Sequence, residues 1–222
     1  LAGTGGAFGA REDVSMQIHA CMLALYTGRP VKMAYGRAES FVGHVHRHPS
    51  RIWMRTGATR EGNLVNVRAR IVIDGGAYTS SSIAVISNAT TFAPGPYEVP
   101  NALIEGTCVF TNNPPCGAMR GFGAVQVCFA HEGQMDKLAA ALSMDPVELR
   151  LRNAAAPGSV LPTGQVIRGA APVREVIERC AEIPMPSAAP PGPRDPLELP
   201  GGAAGHVGRG EGVGRGVGFA VG

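Results

Sequence analysis

Ten residues constrain this chain more than any others: Pro114-Pro115-Cys116-Gly117-Ala118-Met119-Arg120-Gly121-Phe122-Gly123. A run from Ala124 to Leu142 with helical character follows without a break. Two prolines stop the extended segment before them, and the glycines free the backbone for tight turns. The stretch is therefore a loop that opens onto a helix N-terminus, where unpaired N–H groups and the helix dipole favour an anion. Arg120 adds a cation, and its place in a loop poor in other charges predicts a buried, paired guanidinium. Phe122 adds a flat apolar face. Such a loop suits an anionic, planar ligand without naming it.

A second glycine cluster, Gly5-Gly6-Ala7-Phe8-Gly9, precedes an apolar stripe at Val14, Ile18, Cys21, Met22 and Leu25. These offsets predict a helix, with Glu12 and Asp13 in its first turn near the positive dipole end. Gly28 and Pro30 stop it, and Val31 to Tyr35 reads as a short strand. Gly3 to Phe8 misses the last glycine of a dinucleotide fingerprint, and no acid stands about 20 residues downstream, which weakens a nucleotide-binding dehydrogenase. The cluster can still serve as an anion loop, with Phe8 as a ring to pack on a flat cofactor.

Arg37 to Val42 reads as a helical turn. Arg51 to Arg55 and Leu64 to Ile73 read as strands of a long-looped hairpin, and Leu103 to Phe110 as another strand. Residues 79–97 carry little signal. After the long helix, expected to turn Cys128, Met135, Leu138 and Leu142 to one side, Asp145 is an N-cap, with Pro146 at the first helical position and Glu148 completing a capping box. Val173 to Ala181 reads as a last helix. Strands and helices mix without regular alternation, which gives an α+β fold class.

His44, His46 and His48 alternate, so an extended chain would present three imidazoles on one face, the ligand count of a catalytic zinc. Pro49 and Gly43 argue for a bend instead, and solvated or core histidines are commoner. Five cysteines without C-x-x-C spacing support neither a zinc knuckle nor a disulfide framework; reduced thiols in a cytoplasmic protein are the expectation. A net charge of +3 argues for neither nucleic acid nor an anionic membrane surface, and no run of about 18 apolar residues exists to span a bilayer. The chain starts at Leu1 inside a glycine-rich stretch and ends at Val217-Gly218-Phe219-Ala220-Val221-Gly222, which reads as a strand beginning. The expectation is a piece of a longer polypeptide: 1–183 as part of one domain, 184–216 as a Pro/Gly-rich linker or insert, and 217–222 as the truncated start of the domain's next segment.

Three stretches together resemble the molybdenum hydroxylases, the molybdopterin-binding large subunits of the xanthine dehydrogenase and aldehyde oxidase family. They are GGAFGARE (5–12), GAMRGFGAVQ (117–126) and MDKLAAALSMDPVELRLRN (135–153), in the family's order and separation. GRGVGFA (214–220) is similar to the point where the family resumes after a variable insert. The resemblance implies a molybdopterin-binding domain in which Phe8 and Arg120 contact a molybdenum–molybdopterin cofactor. It implies that Glu12, Arg47 and Phe122 bind substrate, Phe122 by stacking and Glu12 and Arg47 by reading a heterocycle's polar edge. The activity it implies is hydroxylation of an electron-poor carbon of an aromatic N-heterocycle or aldehyde, with water as oxygen source. Electrons would leave through 2Fe–2S clusters to FAD on partner domains or subunits of an oligomeric assembly. A bacterial-type separate subunit implies the cytosine dinucleotide form of the cofactor. A non-catalytic scaffold of the same fold is the alternative.

The sequence also departs from the family pattern. Ala7 and Ala10 stand where glycine is frequent. Gly121 occupies the place of the metal-binding cysteine of carbon monoxide dehydrogenases, and Cys116 comes too early to replace it. The family's general-base glutamate is expected downstream of this chain; Glu211, in a Gly-Glu-Gly context, reads as a solvated linker charge.

Overall fold

The computed structural model describes residues 5–9, 11–14, 16–184 and 217–221. Its centre is a three-stranded sheet in the order β1 (Ser50–Ala58), β2 (Leu64–Gly76), β3 (Asn101–Phe110). β1 and β2 form the expected antiparallel hairpin, closed by Thr59 N–H to Asn63 O at 2.8 Å. β2 and β3 run parallel, a pairing that requires a crossover. The crossover is helix α3 (Ser82–Phe92), in the stretch where the sequence carried little signal.

Strand β2 explains the layering. Val67, Ala69, Ile71 and Ile73 alternate with exposed Asn66, Arg68 and Arg70, so one face of the sheet is dry and the other wet. On the dry face lie α3 and α4 (Ala124–Leu142), packing Val85, Ala89, Ala93 and Val127 against Ile71 and Ile73. A second cluster joins Leu64, Val67, Tyr97, Val99, Met135 and Ala139 to Leu149 of α5 (Pro146–Asn153). Each large apolar side chain buried this way contributes about 1.5–3 kcal/mol. The residues α4 buries are Val127, His131, Glu132, Met135 and Ala139. Only Met135 of the expected stripe is among them; Cys128, Leu138 and Leu142 flank it half-covered.

Helix α5 begins as expected: the Asp145 carboxylate accepts from Val147 N at 2.8 Å and Glu148 N at 3.0 Å. Helix α6 (Val173–Ala181) and the turn at 37–42, here α2 (Arg37–Gly43), are also present. The mixed helix–strand architecture agrees with the α+β expectation.

Several expectations are corrected. Helix α1 (Gln17–Thr27) starts after Glu12 and Asp13, whose carboxylates turn to serine hydroxyls instead of the helix end. Its apolar stripe is not core: Ile18, Met22 and Leu25 are exposed, and α1 buries no residue. Val31 to Tyr35 forms no strand, and neither does Val217 to Val221. The linker expected at 184–216 and Glu211 fall, from residue 185 on, outside the described residues.

Candidate functional site: a three-loop junction

Three loops meet beside the N-termini of α3 and α4. The first carries Phe8 and Glu12, the second His44 to Pro49, and the third Pro114 to Gly123. The third loop is stitched to the end of β2 by Cys116 N–H to Gly75 O at 3.0 Å, and to the second by Gly117 N–H to His46 O at 3.0 Å. It meets the first through Arg120 N–H, which donates to Phe8 O at 2.8 Å. That approach leaves no room for side chains between the backbones. A Cβ on Gly9 would collide with Ala118 O, and Gly9 has φ +105°.

The loop's exit is equally constrained. Gly123 has φ +96°, and a Cβ there would run into Val85 O of α3. Its N–H donates to Gln126 Oε1 at 3.0 Å, which caps the start of α4, while Gln126 Nε2 reaches His48 O at 3.4 Å. Gln126 thus ties the second loop to the helix that the third loop opens.

All five residues singled out from the sequence come together at this junction. Arg120, expected buried and paired, is exposed and has no acidic partner among the described residues. Its guanidinium lies 5.8 Å from the centroid of the Phe8 ring, within cation–π range, and that ring is itself 66% exposed. The physical reason is that a different cation holds the loop. Arg47 donates to Arg120 O at 2.8 Å and Met119 O at 3.5 Å, so its guanidinium clamps the third loop from behind and leaves that of Arg120 outside. Phe122 keeps 38% of its surface exposed, above a turn closed by its N–H to Met119 O at 2.6 Å. Glu12 accepts from Ser81 Oγ at 3.0 Å, and the same hydroxyl oxygen accepts from Ala118 N–H at 2.6 Å.

The three histidines do not converge. His44 packs beside the Tyr35 ring at 5.4 Å between centroids, His46 Nε2 meets Phe41 O, and His48 Nε2 pairs with Ser82 Oγ at 2.7 Å. Among the described residues no cluster of His, Cys, Asp and Glu can hold a metal ion. Burial holds the His48 imidazole below its ordinary value, and it raises the Cys116 thiol, which is enclosed and remains protonated. Sequence reasoning missed Ser81, His48 with Ser82, and the bracing of the loop by Asp74, which accepts from Thr111 Oγ1 at 2.6 Å and Gly76 N–H at 2.8 Å. Only the adjacent pairs Glu12-Asp13 and Ser80-Ser81 hinted at the first of these.

A separate cavity of about 700 Å³ lies between α3, α4 and the 161–167 loop, and its walls are mostly apolar. It shares Gly121 with the third loop but includes none of the five site residues.

The residues fit an anionic planar cofactor: an uncompensated guanidinium beside an exposed ring, on two glycine loops whose backbones touch. Residues 2–154 match the family model described as the molybdopterin cofactor-binding domain. The chain belongs to the molybdopterin-binding hydroxylase family. It is 45% identical over 179 residues to the nicotinate dehydrogenase large molybdopterin subunit of Eubacterium barkeri, covering 81% of this chain and 42% of that protein. To a probable xanthine dehydrogenase component of Bacillus subtilis it is 39% identical over 181 residues, 82% of this chain and 24% of the relative. Among solved structures, the aldehyde oxidoreductase of Desulfovibrio gigas superposes with TM-score 0.74 at 32% identity, over 80% of this chain and 20% of that one. Quinoline 2-oxidoreductase of Pseudomonas putida 86 gives the same TM-score at 30% identity, over 81% and 24%. The chain therefore spans less than half the length of these relatives. Among its described residues no helix is long and apolar enough to cross a membrane.

Proposed function

We propose that the three-loop junction is the protein half of a molybdenum hydroxylase active site, in an oxidoreductase acting on an aromatic N-heterocycle or an aldehyde. The observation that carries this is the Arg120 guanidinium, exposed over the Phe8 ring with no carboxylate among the described residues to neutralise it. When bound, a molybdenum–molybdopterin group supplies the oxidation of an electron-poor carbon, with water as the oxygen source. The chain's own residues bind and orient. Arg120 donates charge-assisted hydrogen bonds to the cofactor's anionic portion, each worth about 1.5–3 kcal/mol, and Phe8 covers a flat face. Phe122 stacks on the substrate ring, which adds about 0.5–1.5 kcal/mol beyond burial. Glu12 accepts from the substrate's polar edge.

Arg47 is proposed to act behind the site. Its guanidinium donates to two backbone carbonyls of the third loop, so it orients Arg120 and Phe122 and does not read substrate itself. The proton acceptor is assigned to no residue of this chain. The relatives named as subunits of larger enzymes support 2Fe–2S and FAD partners for electron removal; a cytosine dinucleotide form of the pterin and a cytoplasmic, oligomeric assembly belong to the same proposal.

The test is elemental analysis of the full-length protein. Arg120→Ala should lower molybdenum content at least severalfold, and Arg120→Lys should restore part of it. Unchanged molybdenum in Arg120→Ala would remove Arg120 from the cofactor site.

A further inference from the structure

We propose that Ser81 is a positioning residue that holds one oxygen of Glu12 and so leaves the other to face the substrate. The inference rests on the reading of Glu12 as the substrate carboxylate.

Ser81 stands at the N-cap of α3, with φ −93° and ψ 16°. Serine is favoured there because its oxygen accepts a hydrogen bond from the second or third helical N–H. This one makes no such bond. Its Oγ instead accepts from Ala118 N–H at 2.6 Å and lies 3.0 Å from Glu12 Oε2. The direction of the second bond follows from the first. An amide N–H can only donate, so the hydroxyl accepts there and its single hydrogen remains for the carboxylate. Ser81 thus joins the first and third loops and fixes Oε2 of an accepting carboxylate.

Ser80 is the contrast. Its single hydrogen is shared between both oxygens of Asp13, at 3.1 and 2.9 Å, so that carboxylate is held symmetrically. Two adjacent acids therefore meet two adjacent serines with opposite results. Asp13 is engaged through both oxygens, while Glu12 is held by one and its Oε1 bonds to no described residue. An anchored carboxylate with a free oxygen recognises a hydrogen-bond donor, such as the ring N–H of an oxo-purine, and disfavours a substrate whose facing edge offers only acceptors.

The experiment uses the full-length holoenzyme with hypoxanthine as probe, comparing wild type, Ser81→Ala, Ser81→Thr, Glu12→Gln and the double variant Ser81→Ala/Glu12→Gln. Ser81→Ala should raise KM about tenfold, with a smaller change in kcat, because a hydrogen bond to a charged group is lost. Ser81→Thr, which keeps the hydroxyl, should return KM toward wild type. Adding Ser81→Ala to Glu12→Gln should cost little more than Glu12→Gln alone. Molybdenum content should be equal in all five. Wild-type KM in Ser81→Ala overturns the positioning role, as does loss of molybdenum in that variant, which would make Ser81 a structural link. Full additivity in the double variant also overturns it. If Glu12→Gln itself leaves KM unchanged, the underlying reading of Glu12 fails, and a Ser81 effect would then have another origin. Absence of hypoxanthine turnover in the wild type overturns the reading of Glu12 as the carboxylate for such a substrate, and the Ser81 positioning role with it.

Discussion

At the scale of single residues, the site is built from side chains whose charge is either committed to the fold or left free. Arg47 is committed: its guanidinium donates to Arg120 O and Met119 O. Arg120 has no acidic partner among the described residues and lies over Phe8. The sequence shows two arginines near two glycine loops and cannot say which is which, because the difference lies in how the fold joins positions 73 apart in the chain. The division has a kinetic consequence. Arg47→Ala should lower molybdenum content and kcat together because Arg120 loses its support, with any rise in KM for hypoxanthine following from the loosened Phe122. A rise in KM with normal kcat and metal content would return Arg47 to the substrate.

At the scale of elements, α4 and α5 are joined by a buried ionic knot that no sequence pattern announced. Arg150, fully buried, donates to Glu132 Oε2 and to Asp136 Oδ1, each at 2.8 Å, and to Pro146 O at 3.0 Å. Tyr97 donates to Glu132 Oε1 at 2.6 Å, and burial together with that carboxylate pushes the phenol far above its ordinary value. Leaving Glu132 buried without its cation should cost about 3–5 kcal/mol, so Arg150→Met should lower the Tm of the full-length protein by several degrees. Replacing both, as Glu132→Leu/Arg150→Met, should recover much of the loss; no recovery would mean the pair does more than neutralise itself. Helices with local start signals were legible: α5 through Asp145 and Pro146, and α4 through Gly123 and the apolar run after it. Helix α3 was not, because Ser82 to Phe92 is rich in small and polar residues and leaves Ile83 and Phe92 exposed, so that its packing against β3 and α4 selects the helix. The stripe of α1 misled in the opposite direction, since helical period says that a face is apolar and not that any of the described residues covers it.

At the scale of the molecule, pH acts through buried imidazoles. Loss of water holds His48 and His131 below their ordinary 6.5, against the opposing pull of Asp74 and Glu12 on one and Glu132 on the other. The sign follows from linkage: near pH 6.5 the unfolded chain takes up protons that the folded chain refuses, so stability falls as pH drops below about 6.5. Asp74 is held below its ordinary 3.8 chiefly by the Thr111 hydroxyl, and its contribution, present above that value, is lost as pH falls further. The urea midpoint of the full-length protein should therefore decrease from about pH 7 to pH 5, and His48→Asn should shrink the decrease. A flat profile, or one rising toward acid, would contradict the burial of these rings.

The family, the hairpin, the long helix and the two glycine loops could all be read from the chain alone. Each of these is local: a proline brake, an alternation of apolar residues, a cap, or a string of residues specific enough to match as a string. Folding in three dimensions settled the rest: that the loops touch at Gly9 and Ala118, that Ser81 bridges Glu12 to the third loop, and that Arg120 stays free while Arg47 does not. Those outcomes depend on contacts between residues about 40 to 110 positions apart, set by a parallel strand pairing whose crossover helix left no pattern to read.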